Sequence, residues 1–246
     1  MGLWLLGTAG AVPDAERDVV GLVVEAPGGL ILVEAGSSPL HRLRRLGFDP
    51  LRLEGVFLSH GHPDHLSGLP LLLMGLWLLR RERPLWIAGP EAALARARAL
   101  LELFDWGSWA GMFPVEWRPV PLRPGVPVGS VAGARLLAAP VVHSLPALGL
   151  RLELPEGSAA YSGDTEPCPA MVELARGVDV LLHEATGPYP GHTDPEVAGR
   201  VAQAAGAHRL ILIHVPPGVD PAAWQAAAAR VFDGIVEVGR DGMRVL

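Results

Sequence analysis

The chain has 246 residues, half of them apolar, and a single cysteine, Cys168. It can therefore bury a sizeable core, and it has no partner cysteine for an intrachain disulfide or a cysteine-only zinc site. The net charge of −6 is unlike the basic footprint of a dedicated nucleic-acid-binding protein. The longest apolar stretch, residues 66–79, is shorter than the ~18–20 residues of a membrane span, so we expect no membrane segment. Because the first arginine is Arg17, we also expect no secretory signal and predict a cytoplasmic location.

Short apolar runs separated by glycine and proline predict strands and helices along the whole chain. Residues 21–25 and 30–33 flank a Pro-Gly-Gly turn and predict a hairpin. Further strands are predicted at residues 56–58, 135–142, 149–154, 159–162, 180–183, 210–214 and 235–238. Helices are predicted at residues 69–80, 91–103, 171–176, 195–205 and 221–232. Residues 105–118 and 118–127 are interpreted as loops.

Hairpins and strand–helix alternation occur together in both halves of the chain. This mixture predicts an α+β fold, with two mixed β-sheets packed face to face and helices outside. Because neither a fixed-period repeat nor a low-complexity linker interrupts the sequence, residues 1–246 are predicted to form a single domain.

Four metal-ligand side chains follow the strand predicted at residues 56–58 directly: His60, His62, Asp64 and His65. Imidazole and carboxylate groups are natural ligands for Zn²⁺ and related divalent ions. On a tight turn His60 and His62 can point one way, and Asp64 and His65 another. A single segment could then serve two metal ions.

Three more ligand-type residues stand where predicted strands end, namely His143, Asp164 and His214. Loops at strand ends are where binding and catalytic sites are built on rigid scaffolds. We therefore expect these side chains to join the histidine-rich turn in one metal site.

Residues 59–65, followed by Ser67-Gly68-Leu69-Pro70, resemble the first metal motif of the metallo-β-lactamase superfamily, and more narrowly of its ribonuclease Z (tRNA 3′-processing endonuclease) branch. Further matches to this branch, in the family's order, are Leu6-Gly7-Thr8, Ser162-Gly163-Asp164-Thr165, His183-Glu184-Ala185-Thr186, Gly191-His192-Thr193 and residues 210–214.

The resemblance implies an αββα four-layer sandwich with two divalent metal ions at one edge. Zn²⁺ is the expected ion and Mn²⁺ the alternative. The implied ligands are His60, His62 and His143 for one ion, Asp64, His65 and His214 for the other, and Asp164 as the bridge. Water between two such ions ionises near neutral pH and becomes a nucleophile.

The resemblance also implies catalytic roles for three residues. Asp64 would orient the attacking hydroxide, and His192, paired with Glu184, would donate a proton to the leaving group. A structural alternative for this segment is that Thr193 or Asp194 simply caps the helix that begins at Pro195.

The chain departs from the ribonuclease Z pattern at three places. Between His143 and Asp164, where the family inserts a tRNA-binding arm, the residues suffice only for a plain hairpin. Val-Pro-Pro-Gly follows His214 instead of the usual Ser and Arg/Tyr pattern, and Glu34 replaces the usual Asp. An armless member of this kind resembles the cyclic phosphodiesterase of bacterial phosphonate breakdown.

We therefore predict a metal-dependent phosphodiesterase acting on a small or short phosphodiester, a cyclic one included. Stable tRNA binding is not expected, and a homodimer is a family expectation. The alternatives are a ribonuclease Z-type endonuclease on RNA 3′ ends, a lactone or thioester hydrolase, and a metal-binding protein without catalysis.

Other candidate residues have simpler interpretations. His183 has no ligand role in the pattern and is expected to be a buried structural histidine. Four clustered aromatic residues could line a substrate site or, as is more common for such clusters, belong to the hydrophobic core. They are Trp106, Trp109, Phe113 and Trp117.

Overall fold

The computed structural model describes the backbone of residues 1–246 and every side chain except that of residue 130. Within it, one mixed sheet is formed by the first half of the chain. Its strands stand in chain order: β1 (Gly2–Gly7), β2 (Gly21–Ala26), β3 (Gly29–Val33), β4 (Leu53–Phe57), β5 (Leu85–Gly89) and β6 (Val115–Pro119). β1 to β3 pair antiparallel, and β3 to β6 pair parallel.

The second mixed sheet is formed by the rest of the chain. Its strands are β7 (Val126–Val131), β8 (Ala134–Val141), β9 (Ala147–Leu154), β10 (Gly157–Tyr161), β11 (Val180–Glu184), β12 (Arg209–Ile213) and β13 (Ile235–Val238). They stand in reverse chain order from β13 to β7. β7 to β10 pair antiparallel, and β10 to β13 pair parallel.

Alternating side chains along the strands divide the apolar residues among three cores. In β3, Ile31 and Val33 enter the core between the two sheets, whereas Leu30 and Leu32 enter the core on the outer face of the first sheet. This period-2 alternation is what a strand buried on both faces requires. Each such fully buried aliphatic side chain stabilises the fold by about 1.5–3 kcal/mol.

Helices cover the outer face of each sheet. Those that follow strands of the first sheet are α1 (Pro39–Arg45), α2 (Pro63–Leu66), α3 (Leu69–Leu78) and α4 (Glu91–Glu102). Those that follow strands of the second sheet are α5 (Pro169–Leu174), α6 (Pro195–Ala205) and α7 (Pro221–Ala229). The Asp194 side chain caps α6 by accepting a hydrogen bond from Val197 N, and Gly206 ends the helix in the left-handed conformation.

The layer order of helices, sheet, sheet and helices confirms the predicted α+β fold class. The predicted hairpin before Asp164 is also present, because β9 and β10 pair from Leu154 and Gly157 and leave only Pro155 and Glu156 as the turn. None of the helices in the part of the chain described is long and apolar enough to cross a membrane.

Several short elements were not predicted, namely β1, β5, β6, β7 and α1, and part of the two presumed loops is strand. β6 is an edge strand that carries the charged residues Glu116 and Arg118, and β7, at the edge of the second sheet, contains Pro127. Charged and proline residues are typical of edge strands, and they weaken the apolar signal on which strand prediction depends.

Candidate metal centre

The candidate site lies where strands of both sheets end at one edge of the sandwich. His60 follows β4 in the first sheet, and His143 follows β8 in the second. Asp164 follows β10 and His214 follows β12, while Glu184 is the last residue of β11. β10, β11 and β12 are parallel, so their carboxyl ends deliver these side chains to the same place.

The short helix α2 separates the two halves of the histidine-rich turn. His62 is its N-cap and Pro63 its first residue, so the backbone reverses between His62 and Asp64. Gly36 packs against this helix so closely that a Cβ there would lie 1.7 Å from the carbonyl oxygen of Asp64. The turn therefore places Asp64 and His65 in a different donor group from His60 and His62.

The first group of donor atoms consists of three imidazole nitrogens and one carboxylate oxygen. His60 Nε2 and His143 Nε2 lie 2.9 and 3.1 Å from His62 Nδ1. Asp164 Oδ2 lies 3.8 Å from His60 Nε2. Donors around a tetrahedral zinc ion, with Zn–N distances of about 2.0–2.1 Å, stand about 3.3 Å apart. The four atoms are therefore spaced as a single small cation requires.

The second group shares Asp164 with the first and adds Asp64, His65 and His214. His65 Nε2 lies 3.5 Å from Asp64 Oδ2 and 3.4 Å from Asp164 Oδ1. His214 Nε2 lies 3.3 and 3.5 Å from Oδ2 of the same two aspartates. Asp164 thus presents Oδ2 to His60 and His214 and Oδ1 to His65, so its carboxylate borders both groups.

Hydrogen bonds behind the histidines orient their ring nitrogens toward these groups. His143 Nδ1 donates to the carbonyl of Gly191 at 2.8 Å, and His214 Nδ1 lies 2.8 Å from Thr186 Oγ1. Glu34 Oε1 lies 3.4 Å from His65 Nδ1 as a charged neighbour without hydrogen-bond geometry. Partners of this kind fix the ring orientation and the tautomer of metal-binding histidines.

Two buried polar atoms of the second group, His65 Nε2 and Asp164 Oδ1, have no hydrogen-bond partner among the described residues. Buried polar atoms in folded proteins are nearly always satisfied, because an unpaired one costs about 1–3 kcal/mol. Both atoms face the same donor group, where a cation would satisfy them. The imidazole and carboxylate donors fit divalent metal ions.

The charges of the site also suit cation binding. Burial lowers the pKa of His60 to about 2, which keeps this imidazole in the neutral form that binds metal. Burial alone would raise the pKa of Asp164, but His214 and His65 outweigh it and hold this pKa well below its usual range. Burial opposes the charged form of His65, yet Asp164 and Glu34 raise its pKa well above normal, so a metal ion must displace a proton from this ring.

Beside the donor groups, the buried carboxylate of Glu184 is hydrogen-bonded to the partly exposed imidazole of His192. Glu184 Oε1 lies 3.0 Å from His192 Nδ1. The Glu184 carboxylate also accepts backbone N–H bonds from Thr165, Thr186 and Thr193, so its position is fixed. The hydrogen bond with Glu184 raises the pKa of His192. The other ring nitrogen of His192, Nε2, faces the cleft beside the donor groups. Thr193 is not a helix cap, and Asp194 caps α6 without using His192.

Every predicted site residue is thus brought to this edge, and other candidates are not. His183 is fully buried on β11, where its Nδ1 donates to the carbonyl of Glu184, as expected of a structural histidine. Of the aromatic residues predicted as substrate wall or core, Phe113 is buried in the outer core of the first sheet and Trp106 and Trp117 pack against it, while Trp109 stacks on Trp77.

Residues that orient the ligands were missed by sequence reasoning, including Thr186, Glu166 and the carbonyl of Gly191. Glu166 Oε1 accepts a hydrogen bond from Gly191 N at 2.8 Å. A backbone carbonyl carries no side-chain signature, and Glu166 is far from Gly191 in sequence. Only the motif Gly191-His192-Thr193 pointed to this segment.

Known proteins share both the sequence and the fold. The family described as β-lactamase superfamily domain matches residues 14–215. A ribonuclease Z from Mycobacterium marinum is 30% identical over 271 aligned positions, covering 98% of this chain and 96% of the relative. The alignment is longer than the 246 residues of this chain, so this relative has residues without a counterpart here.

Solved structures repeat the whole architecture. The metallo-β-lactamase fold protein YhfI from Bacillus subtilis superposes with a TM-score of 0.84 at 22% identity, over 99% of this chain and 97% of that one. The short form of human tRNase Z gives 0.81 at 22% identity, over 100% and 99%. A diphosphatase from the PhnP family gives 0.77 at 19% identity, over 99% and 96%. The chain therefore belongs to the metallo-β-lactamase superfamily, in its ribonuclease Z-like branch, and is a hydrolase.

Proposed function

We propose that the protein is a metal-dependent phosphodiesterase that hydrolyses a small or short phosphodiester, cyclic ones included. One observation carries the proposal: two donor groups that share Asp164 lie in the same cleft as His192, which is held by Glu184 at 3.0 Å. Cleavage of a phosphodiester needs charge neutralisation at phosphorus and a proton for a poor leaving alkoxide. This cleft contains residues suited to both tasks.

We assign the metal ligands as the two groups suggest, with Zn²⁺ as the expected ion and Mn²⁺ as the alternative. His60, His62, His143 and Asp164 would hold one ion, and Asp64, His65, Asp164 and His214 the other. Bound divalent ions supply a water that ionises near neutral pH and neutralise charge that develops on the phosphoryl oxygens.

The protein's own catalytic groups are Asp64, Glu184 and His192. Asp64 Oδ2, at the centre of the second donor group, would orient the attacking water through a hydrogen bond. His192 would donate the proton on Nε2 to the leaving oxygen, because Glu184 occupies Nδ1 and favours the protonated ring. Glu184 acts through His192 and does not itself need to touch the substrate.

Three features favour a small substrate over a folded RNA. The β9–β10 hairpin turns through only Pro155 and Glu156, in the interval where the ribonuclease Z pattern would have a tRNA-binding arm. The residues that line the cleft include neither lysine nor arginine, and the chain is acidic overall. RNA affinity rests largely on cationic contacts to phosphates, and these are scarce here.

RNA 3′-end cleavage is the second candidate, since a relative 30% identical over nearly the whole chain is a ribonuclease Z. We further propose that residues 1–246 act as one domain, supported by the apolar core that both sheets share. The homodimer and the cytoplasmic location stay predictions.

Hydrolysis of bis(p-nitrophenyl) phosphate by the purified protein tests the proposal. We expect activity that a chelator abolishes and that added Zn²⁺ or Mn²⁺ restores. Inactivity of the fully metallated protein would contradict it, and turnover of a lactone or thioester instead would identify a carbon-centred hydrolase.

A parallel assay with a precursor tRNA separates the two phosphodiesterase candidates. Slow or misplaced cleavage is expected of this chain. Efficient cleavage at the correct 3′ position would contradict the small-substrate proposal and favour a ribonuclease Z-type endonuclease.

A further inference from the structure

The cleft beside the donor groups has a volume of ≈ 380 Å³ and is lined by polar and apolar residues. The polar residues are those of the site already described, together with Thr186. The apolar residues, which we call the apolar wall, are Gly10, Ala11, Val12, Pro63, Pro216 and Pro217. A substrate whose phosphorus reaches the donor groups must place one of its ester groups near this wall.

Backbone hydrogen bonds hold the two main segments of the apolar wall together. Val215 N donates to the carbonyl of Thr8, and Gly10 N donates to the carbonyl of Val215. Gly10 also lies directly against the imidazole of His214, since a Cβ there would be 3.1 Å from Cε1. The wall is therefore anchored to a predicted metal ligand.

Val12 is the most exposed aliphatic side chain of the wall, with 60% of its surface accessible. It stands beside a polar site on a loop, where it stabilises no core. Proline rings at positions 216 and 217 extend the apolar surface on the neighbouring loop. Apolar surface that is rimmed by polar groups in a cleft is typical of a ligand-binding subsite.

The charges around the cleft restrict what can occupy it. None of its lining residues is Lys or Arg, so within the lining the proposed ions at the donor groups are where the single negative charge of one phosphodiester would be matched. Further phosphates of an oligonucleotide would lie along the apolar wall without a cationic partner, which costs binding energy.

We propose that the apolar wall is a specificity subsite that binds a nonpolar ester group of a monoanionic phosphodiester, with Val12, Pro216 and Pro217 in contact with it. The inference rests on the proposed phosphodiesterase function and narrows its substrate class. The group is flat or aliphatic and uncharged, whether it is an aryl ring, an alkyl chain or the base and sugar of a nucleoside.

The test compares three diesters of p-nitrophenol with the metal-loaded protein: the methyl, the phenyl and the thymidine 5′-phosphate ester. We expect kcat/KM for the phenyl ester to exceed that for the methyl ester by about tenfold. High activity on the thymidine ester as well would identify the source of the group as a nucleoside, and low activity would identify a simpler aryl or alkyl ester. Equal kcat/KM for the phenyl and methyl esters would overturn the subsite while leaving the phosphodiesterase intact.

The Val12→Ala variant tests the wall itself, with Ile235→Ala as its matched control. Ile235 is a similarly exposed aliphatic residue, 63% accessible, on β13. Val12→Ala is expected to lower kcat/KM for the phenyl ester by about fivefold through KM, with an unchanged melting temperature. Equal values for the two variants would overturn the role of Val12.

A gain-of-function variant tests the charge argument. Val12→Arg adds a cation at an exposed position and is expected to raise kcat/KM for a short oligonucleotide relative to the phenyl ester by about threefold. A fall in this ratio would contradict the charge argument.

Binding of two non-hydrolysable probes separates failure of the subsite from failure of the proposed function. Calorimetry should show that phenylphosphonate binds the metal-loaded protein about fivefold more tightly than methylphosphonate, and that Val12→Ala reduces this preference. This preference is expected even if no diester is hydrolysed, and its absence would overturn the subsite.

Discussion

At the scale of single residues, His192 differs from the other histidines of the site in what holds it. Its Nδ1 is paired with Glu184, whereas the others turn a nitrogen into the metal groups. It is also only half-buried, so its side chain can be removed without a large cost in packing. These properties make it the residue at which the proposed proton transfer can be tested most directly.

His192→Ala should reduce turnover of diesters with poor leaving groups by about 10²–10⁴-fold. Loss of p-nitrophenol is expected to be affected much less, because this leaving group departs without a proton. The measurement is kcat across a series of leaving groups of increasing pKa. Equal losses over the series would show that His192 is not the acid.

Glu184→Gln should change the pH dependence of the same reaction. The hydrogen bond with Glu184 raises the pKa of His192, and the acid acts in its protonated form. Activity on diesters with poor leaving groups therefore falls as the pH rises through the pKa of His192. Because this pKa should be lower in Glu184→Gln, the variant should lose that activity at a lower pH than the parent. An unchanged alkaline limb would contradict the pairing, and a melting curve controls for loss of the backbone bonds that Glu184 accepts.

Asp164 is the one carboxylate that belongs to both donor groups. Asp164→Ala should therefore lower the bound metal to fewer than two ions per chain, measured by elemental analysis after dialysis. Glu173→Ala, at an exposed position paired with Arg176, is the matched control and should leave the metal content unchanged. Two ions retained by Asp164→Ala would exclude the bridging role.

At the scale of elements, one loop positions both a metal ligand and the proposed acid. The segment that joins β11 to α6 carries Gly191, whose carbonyl accepts from His143, and His192 follows immediately. Gly191 has φ +82°, and a Cβ there would lie 2.9 Å from His143 Nδ1, so glycine is required by both conformation and space. The Glu166 carboxylate fixes this peptide by accepting a hydrogen bond from the N–H of Gly191.

Glu166→Ala should therefore weaken both functions of the loop. We expect lower affinity for metal and a loss of kcat of about 10- to 100-fold, the range found when partners that orient metal ligands are removed. Glu166→Gln keeps an oxygen acceptor and should recover most of the activity. Equal losses of activity in Glu166→Ala and Glu166→Gln would show that the hydrogen bond to Gly191 does not support the activity.

Three of the elements that prediction missed share a physical cause, whereas β1 and β5 are buried apolar strands that the same criterion should have found. β6 and β7 are edge strands with charged or proline residues, and α1 is a short helix with one buried side. Their stability comes from pairing with a neighbouring strand or packing on a sheet, and these contacts are distant in sequence. The buried central strands β4, β11 and β12 were predicted because their apolar runs are continuous.

At the scale of the whole molecule, the metal site joins the two sheets. Its donor groups follow β4 in the first sheet and β8, β10 and β12 in the second, so ions bound there would tie the halves of the sandwich together. Without ions, His65 Nε2 and Asp164 Oδ1 remain buried and unpaired at this junction. Metal binding and folding stability should therefore be coupled.

Removal of metal by a chelator should lower the melting temperature of the protein. Ions at about a thousand times their Kd stabilise the folded state by about 4 kcal/mol, which corresponds to roughly 10 °C for a chain of this size. Asp164→Ala should be much less sensitive to the chelator. Identical melting curves for the parent with and without metal would contradict this coupling.

The sequence by itself predicted the candidate ligand set, the pairing of Glu184 with His192, the plain hairpin before Asp164 and the fold class. These features depend on side-chain chemistry at close spacing and on continuous apolar runs, both of which can be read locally. Only the tertiary structure decided that Asp164 faces both donor groups, that Gly191 and Glu166 orient His143, and that an apolar wall lines the same cleft as His192. Such relations join residues far apart in the chain, and they arise only when the two sheets pack and bring the ends of their strands together.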